Sequence, residues 1–312
     1  MSKLKELMES EIQLKMPVMV GNISQKEDKT GAPYLMVDLI DGESVITARI
    51  FKTDKANCGF TTGTILNASI ASSKYNGSMG YIVNRYTLAP ADKYDKADFL
   101  ITAPKKFDVL WAEYENLLDQ ITDEKLKTVV NNLFERFKDR LVYWGAAKAM
   151  HHNYYGGLLY HSVCVAKNAL ALANNYDYIN KEMVIAGGLL HDIGKLIELD
   201  TDELGVSSYT VDGELFGHLF IGAELVKAEA KKVQLSAELT RQLVHIIVAH
   251  HDNPEWGAIK SPATVEARVV SSADFVDSQL EIMHQINAET TNGAVSERRI
   301  GSVRVYNTEH NN

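Results

Sequence analysis

Gly187-Gly188-Leu189-Leu190-His191-Asp192-Ile193-Gly194-Lys195 places a histidine and an aspartate side by side at the end of an apolar, helix-like run. Neighbours on a helix stand about a third of a turn apart, so an imidazole nitrogen and a carboxylate oxygen can reach the same metal ion. Two donors do not complete a coordination shell. The others are distant in sequence: His161 lies 30 residues upstream, and His218, the pair His250-His251 and Asp274 lie downstream. Each stands in its own helix-like segment, so the expected centre is assembled from several helices and the second half of the chain is expected to be all-α. If the helix persists through Gly194, Lys195 projects from the same face as the dyad, where its ammonium contacts a phosphate oxygen or pairs with a carboxylate.

Spacing around the other donors fits inward-facing positions. Leu243, Ile247, His250 and His251 share one helical face, whereas His245 points elsewhere and is expected to be structural. His161 repeats with Val165 and Ala169 on the apolar side of its helix. Asp274 and Asp277 share a face with Val270, and a buried carboxylate there is costly without a cation or a partner. His151 and His152, ahead of Gly156-Gly157-Leu158-Leu159-Tyr160-His161, either line the site or cap and pack the loop. The stripes Val109, Leu110, Tyr114, Leu117, Leu118 and Leu126, Val129, Val130, Leu133, Phe137 read as helix-packing core.

The first part of the chain has a different period. Short β-branched runs between Pro17 and Ala89, broken by Asp41-Gly42 and Tyr75-Asn76-Gly77-Ser78, give five strands in about 75 residues. That count suits a small closed barrel of the OB type. Such barrels commonly hold single strands by stacking bases on exposed aromatics beside basic side chains, for which Tyr34, Phe51, Lys74, Tyr75, Tyr81 and Arg85 are the candidates. The expected organisation is therefore a two-domain chain: barrel over 1–91, charged irregular linker over 92–105, all-α domain over 106–292, and a mobile tail over 293–312 that includes Arg298-Arg299.

Composition limits the function classes. The 312 residues, 46% hydrophobic and 23% charged, suffice for two buried cores. The formal charge of -9 argues against coating nucleic acid by bulk electrostatics. It is uneven, because residues 1–90 carry ten Lys/Arg against nine Asp/Glu, while all ten histidines lie at or after His151. A binding domain followed by a catalytic one is the expectation. Cys58 and Cys164 are far apart, without metal-type spacing, and the first residues lack the apolar core of a signal peptide; a cytoplasmic protein with reduced thiols, no membrane partner and a homo-oligomeric state in reach is expected.

The order His161, His191-Asp192, His218, His250-His251, Asp274 resembles the HD superfamily of metal-dependent phosphohydrolases. More narrowly, His151-His152 with Gly156 to His161, Leu190 to Lys195, and His250-His251 with Glu255-Trp256-Gly257, Pro262 and Ala273-Asp274 are similar to YhaM-type 3′-to-5′ exoribonucleases, which join an OB-fold to an HD domain. Asp252 departs from that pattern, where relatives usually have a small residue. The resemblance implies one divalent metal on His161, His191, Asp192 and Asp274 and a second on Asp192, His218, His250 and His251, with Asp192 bridging and Lys195 assisting catalysis. It implies manganese, whereas ligand chemistry alone also admits Fe, Co, Ni or Zn. The implied activity is hydrolysis of single-stranded RNA, and in reach single-stranded DNA, to 5′-mononucleotides. Two alternatives stay open: a small-molecule HD phosphohydrolase acting on nucleotides, and a nucleic-acid-binding regulatory protein whose HD domain only scaffolds.

Overall fold

Alternation in Ser44–Phe51, where every second side chain is buried, is the local signature of a strand with one face in a core. In the computed structural model, which describes residues 3–42, 44–75, 78–90, 92–146, 154–202 and 204–308, that strand belongs to the first of two compact units, Met1–Thr102 and Ala103–Asn312. The first unit opens with helix α1 (Lys3–Glu9), which the sequence reading left unassigned. Its strands are β1 (Gln13–Glu27), β2 (Pro33–Asp41), β3 (Ser44–Phe51), β4 (Ile65–Tyr75) and β5 (Ser78–Leu88), closed into a barrel of order β1-β2-β3-β5-β4. β1 is long enough to pair with both neighbours: its first half lies antiparallel to β4 and its second half to β2, with Met19 opposite both Ile65 and Ile40. The bend that allows this is a bulge between Val20 and Ile23. Gly21 sits in it, and a Cβ there would stand 3.0 Å from Ile40 Cδ1. Leu4 and Leu7 of α1 are fully buried with the barrel core.

The stretch expected as an irregular linker is ordered in place. Asp95 caps a 3₁₀ turn over Lys96–Phe99, Phe99 is buried, and its carbonyl accepts the Gly42 N–H at 3.1 Å. An aromatic with a backbone partner on the barrel makes this segment part of the first unit.

The second unit is helical: α2 (Phe107–Leu118), α3 (Glu124–Arg136), α4 (Lys138–Leu141), α5 (Gly157–Ala173), α6 (Lys181–Leu190), α7 (Lys195–Glu198), α8 (Val211–Lys232), α9 (Ala237–Ala249) and α10 (Val265–Ala288), with a short sheet of β6 (Leu199–Thr201) and β7 (Ser207–Tyr209) between α7 and α8. Starts are set by side-chain caps at Asp123, Asn180, Thr210, Ser236 and Thr264, each satisfying N–H groups that the first turn leaves open. One apolar core joins α2, α3, α5, α6, α9 and α10.

The tail corrects the reading of a mobile segment. β8 (Val295–Ile300) and β9 (Val303–Tyr306) form a hairpin around Gly301, whose φ of 57° suits the two-residue turn. Val305 and Ser296 are buried in it, and Asn307 Nδ2 donates to the carbonyls of Asn287 and Thr290 at the end of α10. The apolar pattern is too short to reveal this, because one valine supplies most of the buried face. Among the described residues, no helix is long and apolar enough to cross a membrane. Cys58 and Cys164 are both free thiols.

Candidate metal centre

Close backbone approaches bring the donors together. Gly188 lets α6 lie against α5, since a Cβ there would be 2.6 Å from Ala166 Cα. α6 ends at Leu190, so the helix does not persist through Gly194 as expected; residues 191–194 form a tight turn and Lys195 starts a new helix. Gly194 presses that turn on α8, where a Cβ would be 2.1 Å from His218 O. Within α8, Gly217 has non-helical φ 70° and ψ 160°, so His218 begins a new helical run with its N–H free of the preceding turn. That N–H donates to Glu198 Oε1 at 3.0 Å.

The result is one cluster with two faces. His161 Nε2 and His191 Nε2 lie 3.1 Å apart and stand 3.5 and 3.4 Å from Asp192 Oδ2, with Asp274 Oδ1 3.2 Å from His161 Nε2. On the other side, His218 Nε2 and His250 Nε2 stand 3.4 and 3.5 Å from Asp192 Oδ1, and His251 groups with them within metal-binding reach. Each of four imidazoles is held from behind through Nδ1: His161 by Asp277 at 2.7 Å, His191 by Gly188 O at 2.8 Å, His218 by Glu198 at 3.0 Å and His250 by Ile247 O at 2.8 Å. An Nδ1–H donated to such an oxygen leaves the Nε2 lone pair pointing into the cluster.

These residues fit divalent ions on an internal test. Asp192 Oδ1, His218 Nε2 and His250 Nε2 are buried without any hydrogen-bond partner. Orphaned buried polar atoms cost about 1–3 kcal/mol each, and three that converge on one point satisfy one another only through a cation. Donors about 2.1 Å from a tetrahedral ion stand about 3.4 Å apart, close to the separations here.

The electrostatics divide the same way. Burial opposes charge on His161, but Asp192, Asp274 and Asp277 outweigh it and hold its pKa well above the usual imidazole range. Burial instead keeps His250 below its ordinary value, and burial with the neighbouring His250 and His218 depresses His251 to about 3. Asp192 resists burial through Lys195 and His191, which keep it well below the carboxylate range; Asp274 is likewise depressed, through His161 and the charge of His191. Lys195 Nζ donates to Asp192 Oδ2 at 2.6 Å, so of the two roles left open for it, the carboxylate pair is the one formed in this structure.

Placement of the remaining candidates is mixed. Asp277 backs His161 rather than facing the cluster. His245 accepts the Ala263 N–H at 2.8 Å outside it. Asp252 adopts a left-handed φ of 64° and pairs with Arg268 at 2.8 Å, a conformation that explains why a small residue suits this position. Glu198 was missed, although an acid three residues after Lys195 in an otherwise apolar turn was a signal. In the barrel, Tyr34 and Phe51 sit side by side with centroids 5.5 Å apart, and Arg85 and Lys74 are exposed. Tyr81 is half-buried, packed against the barrel core, and burial raises its hydroxyl pKa. His151, His152 and the Tyr75 side chain lie outside the described residues.

Comparison with known proteins agrees with this geometry. Residues 158–278, which span every donor in the cluster, match the HD domain family. Over 275 residues the chain is 29% identical to proteins named 3′-5′ exoribonuclease YhaM from Listeria innocua serovar 6a and Listeria monocytogenes serotype 4b, covering 87% of this chain and 87% of each relative. A crystal structure of the mitochondrial single-stranded DNA binding protein Rim1 from S. cerevisiae covers 25% of this chain and 96% of its own, at 11% identity and a TM-score of 0.21, too low to carry an argument. A match over 87% of the chain necessarily enters both the barrel and the helical unit, so the chain is similar to the YhaM proteins across both, with the HD domain match lying over residues 158–278 of the helical unit.

Proposed function

We propose that the chain is a metal-dependent 3′-to-5′ exoribonuclease that shortens single-stranded RNA to 5′-mononucleotides, with single-stranded DNA as a second substrate. The observation that carries the reading is Asp192, whose two buried oxygens each face a separate pair of Nε2 atoms. His161, His191, Asp192 and Asp274 would hold one ion; Asp192, His218, His250 and His251 would hold a second. The donor set suits manganese, and also Fe, Co, Ni or Zn. Divalent ions bound there supply Lewis acidity: they lower the pKa of water and draw charge from phosphate oxygens.

The chain's own groups do the rest. Asp277, Glu198 and two backbone carbonyls fix ring orientation, so little reorganisation is needed as charge develops. Lys195 is nearly buried, and as a fixed ammonium beside Asp192 it can take a phosphate oxygen. The barrel would hold the strand, with Tyr34, Phe51, Lys74, Tyr75, Tyr81 and Arg85 as the sequence-derived contacts. The direction of attack and preference for RNA rest on similarity to the Listeria proteins alone. A cytoplasmic location fits the two free thiols, and exposed Phe275, Val276 and Leu280 on α10 support a homo-oligomer that sedimentation would test.

The deciding experiment incubates the protein with 5′-labelled single-stranded RNA, with and without Mn²⁺, beside a panel of free nucleotides. A ladder shortening from the 3′ end only with metal supports the proposal. Intact RNA with hydrolysed nucleotides would replace it by the small-molecule reading, and binding without any hydrolysis by the regulatory one.

A further inference from the structure

A cleft of about 780 Å³ opens on the outer surface of the barrel, and its lining has a chemistry that the sequence reading only touched. Lys15, Lys52 and Arg85 line it, with Asn67, Asn84 and Phe51, and no carboxylate is among its lining residues. The register explains how they meet. Lys15 of β1 and Arg85 of β5 are both paired with Ser69 of β4, so the three side chains share one face across adjacent strands. Pro17 and Thr87 repeat the arrangement around Asn67, two residues away on that face. β3 and β5 are paired only at Ala48–Tyr81 and Arg49–Ile82. Beyond that contact, Phe51 and Lys52 border the cleft as its third wall, and Lys52 holds a left-handed φ of 61°.

No hydrogen bond or ion pair engages the Lys15, Lys52 or Arg85 side chains among the described residues. Elsewhere in the first unit, the Asp28 and Asp54 carboxylates are taken up by turn N–H groups. Three unpaired cations gathered on one concavity repel one another, and the arrangement is stabilised by an anion. Asn67 and Asn84 add amide donors and acceptors, and Phe51, backed by Tyr34, adds an exposed ring against which a base can stack.

We propose that this β1–β4–β5 cleft is the single-strand track of the barrel, with phosphates on Lys15, Lys52 and Arg85 and a base against Phe51. The inference rests on the reading of the chain as acting on RNA. It adds Lys15, Lys52, Asn67 and Asn84 to Phe51 and Arg85 as binding residues, and accounts for strand binding by a chain of net charge -9.

The test uses the full-length protein with Asp192→Asn, so that the strand survives, and measures anisotropy of a labelled 12-nucleotide single-stranded RNA from 50 to 300 mM salt. Lys15→Gln with Arg85→Gln is compared with Lys29→Gln with Lys93→Gln, which removes the same charge outside the cleft. Each phosphate contact contributes about 0.7 to the slope of log K against log salt for a single strand, so the cleft pair should flatten it by about 1.4 and weaken binding about tenfold at 0.1 M salt. The outer pair should change either quantity little. Equal losses in both pairs, or none in the cleft pair, would overturn the proposal. Cleavage by the otherwise unaltered protein, followed in parallel, separates the two readings: a normal RNA ladder with no cleft effect sinks the track alone, whereas no RNA binding by the parent sinks both.

Discussion

Gly188→Ala tests whether the close contact of α5 and α6 builds the metal centre. Two effects of opposite sign compete. In a helix interior alanine is favoured over glycine by about 1 kcal/mol. Against that, the new Cβ would stand 2.6 Å from Ala166 Cα and 3.0 Å from Ala166 N, and neither backbone atom can rotate away. Carbon atoms rest about 3.5–4.0 Å apart, so the helices must separate by about 1 Å. Overpacking of this kind costs about 1–3 kcal/mol, and backbone contact on both sides places it at the upper end. The clash therefore wins, with a net loss of about 2 kcal/mol. For a unit of this size that lowers the thermal midpoint by about 4–8 °C. The same 1 Å is comparable to the tolerance of the 3.1 Å His161–His191 separation, so metal affinity should fall alongside stability. Differential scanning calorimetry with a Mn²⁺ titration measures both. A midpoint within 1 °C of the parent, with unchanged metal affinity, would show that the helices are not held together at this point.

Three further outcomes follow from particular contacts. Glu198→Gln weakens the clamp on His218 Nδ1 and N–H, and should lower the affinity of one ion about 10–100-fold while sparing the other; calorimetric titration would show a single step falling, and loss of both steps would contradict this. Lys195→Met leaves buried Asp192 without its ammonium and should destabilise the metal-free protein by about 3 kcal/mol, with recovery on adding Mn²⁺; a midpoint unchanged in EDTA would refute it. Burial acts to raise the Glu182 pKa, but hydrogen bonds from Thr122 and Asp123 outweigh it and hold the folded value low. Its stabilisation is thus present above the unfolded value of about 4.3 and lost as pH falls through the folded one, so Glu182→Gln should cost about 1 kcal/mol at pH 7 and nothing at pH 2; a difference independent of pH would count against the assignment.

The donors were legible because each is a residue type that is seldom buried without a reason, and all seven stand on an apolar helix or in the turn just past its end. His250 and His251 could be placed by counting from Leu243 and Ile247, and both are where that count put them. What spacing could not convey was the breaks. Lys195 was counted along a continuous helix, yet the chain turns at 191–194 because Gly194 must fit beneath His218 O, and that approach is tertiary. Glu198 escaped for the same reason, since its partner is 20 residues away and reaches it only through the kink at Gly217. The closed five-stranded barrel followed from strand count and turn residues, whereas the Lys15–Ser69–Arg85 row depends on register between β4, β5 and the sequence-distant β1. The tail hairpin and α1 each bury only one or two large side chains, too few to raise a periodic signal.

The central claim is that Asp192 joins two ion sites. Titration of metal-free protein with Mn²⁺, followed by calorimetry and by electron paramagnetic resonance, tests it most directly. Two ions per chain with a spin-coupled signal, both lost in Asp192→Asn while that variant keeps the circular dichroism spectrum of the folded parent, is the predicted result. Two ions retained by Asp192→Asn, or no binding by the parent, would contradict it.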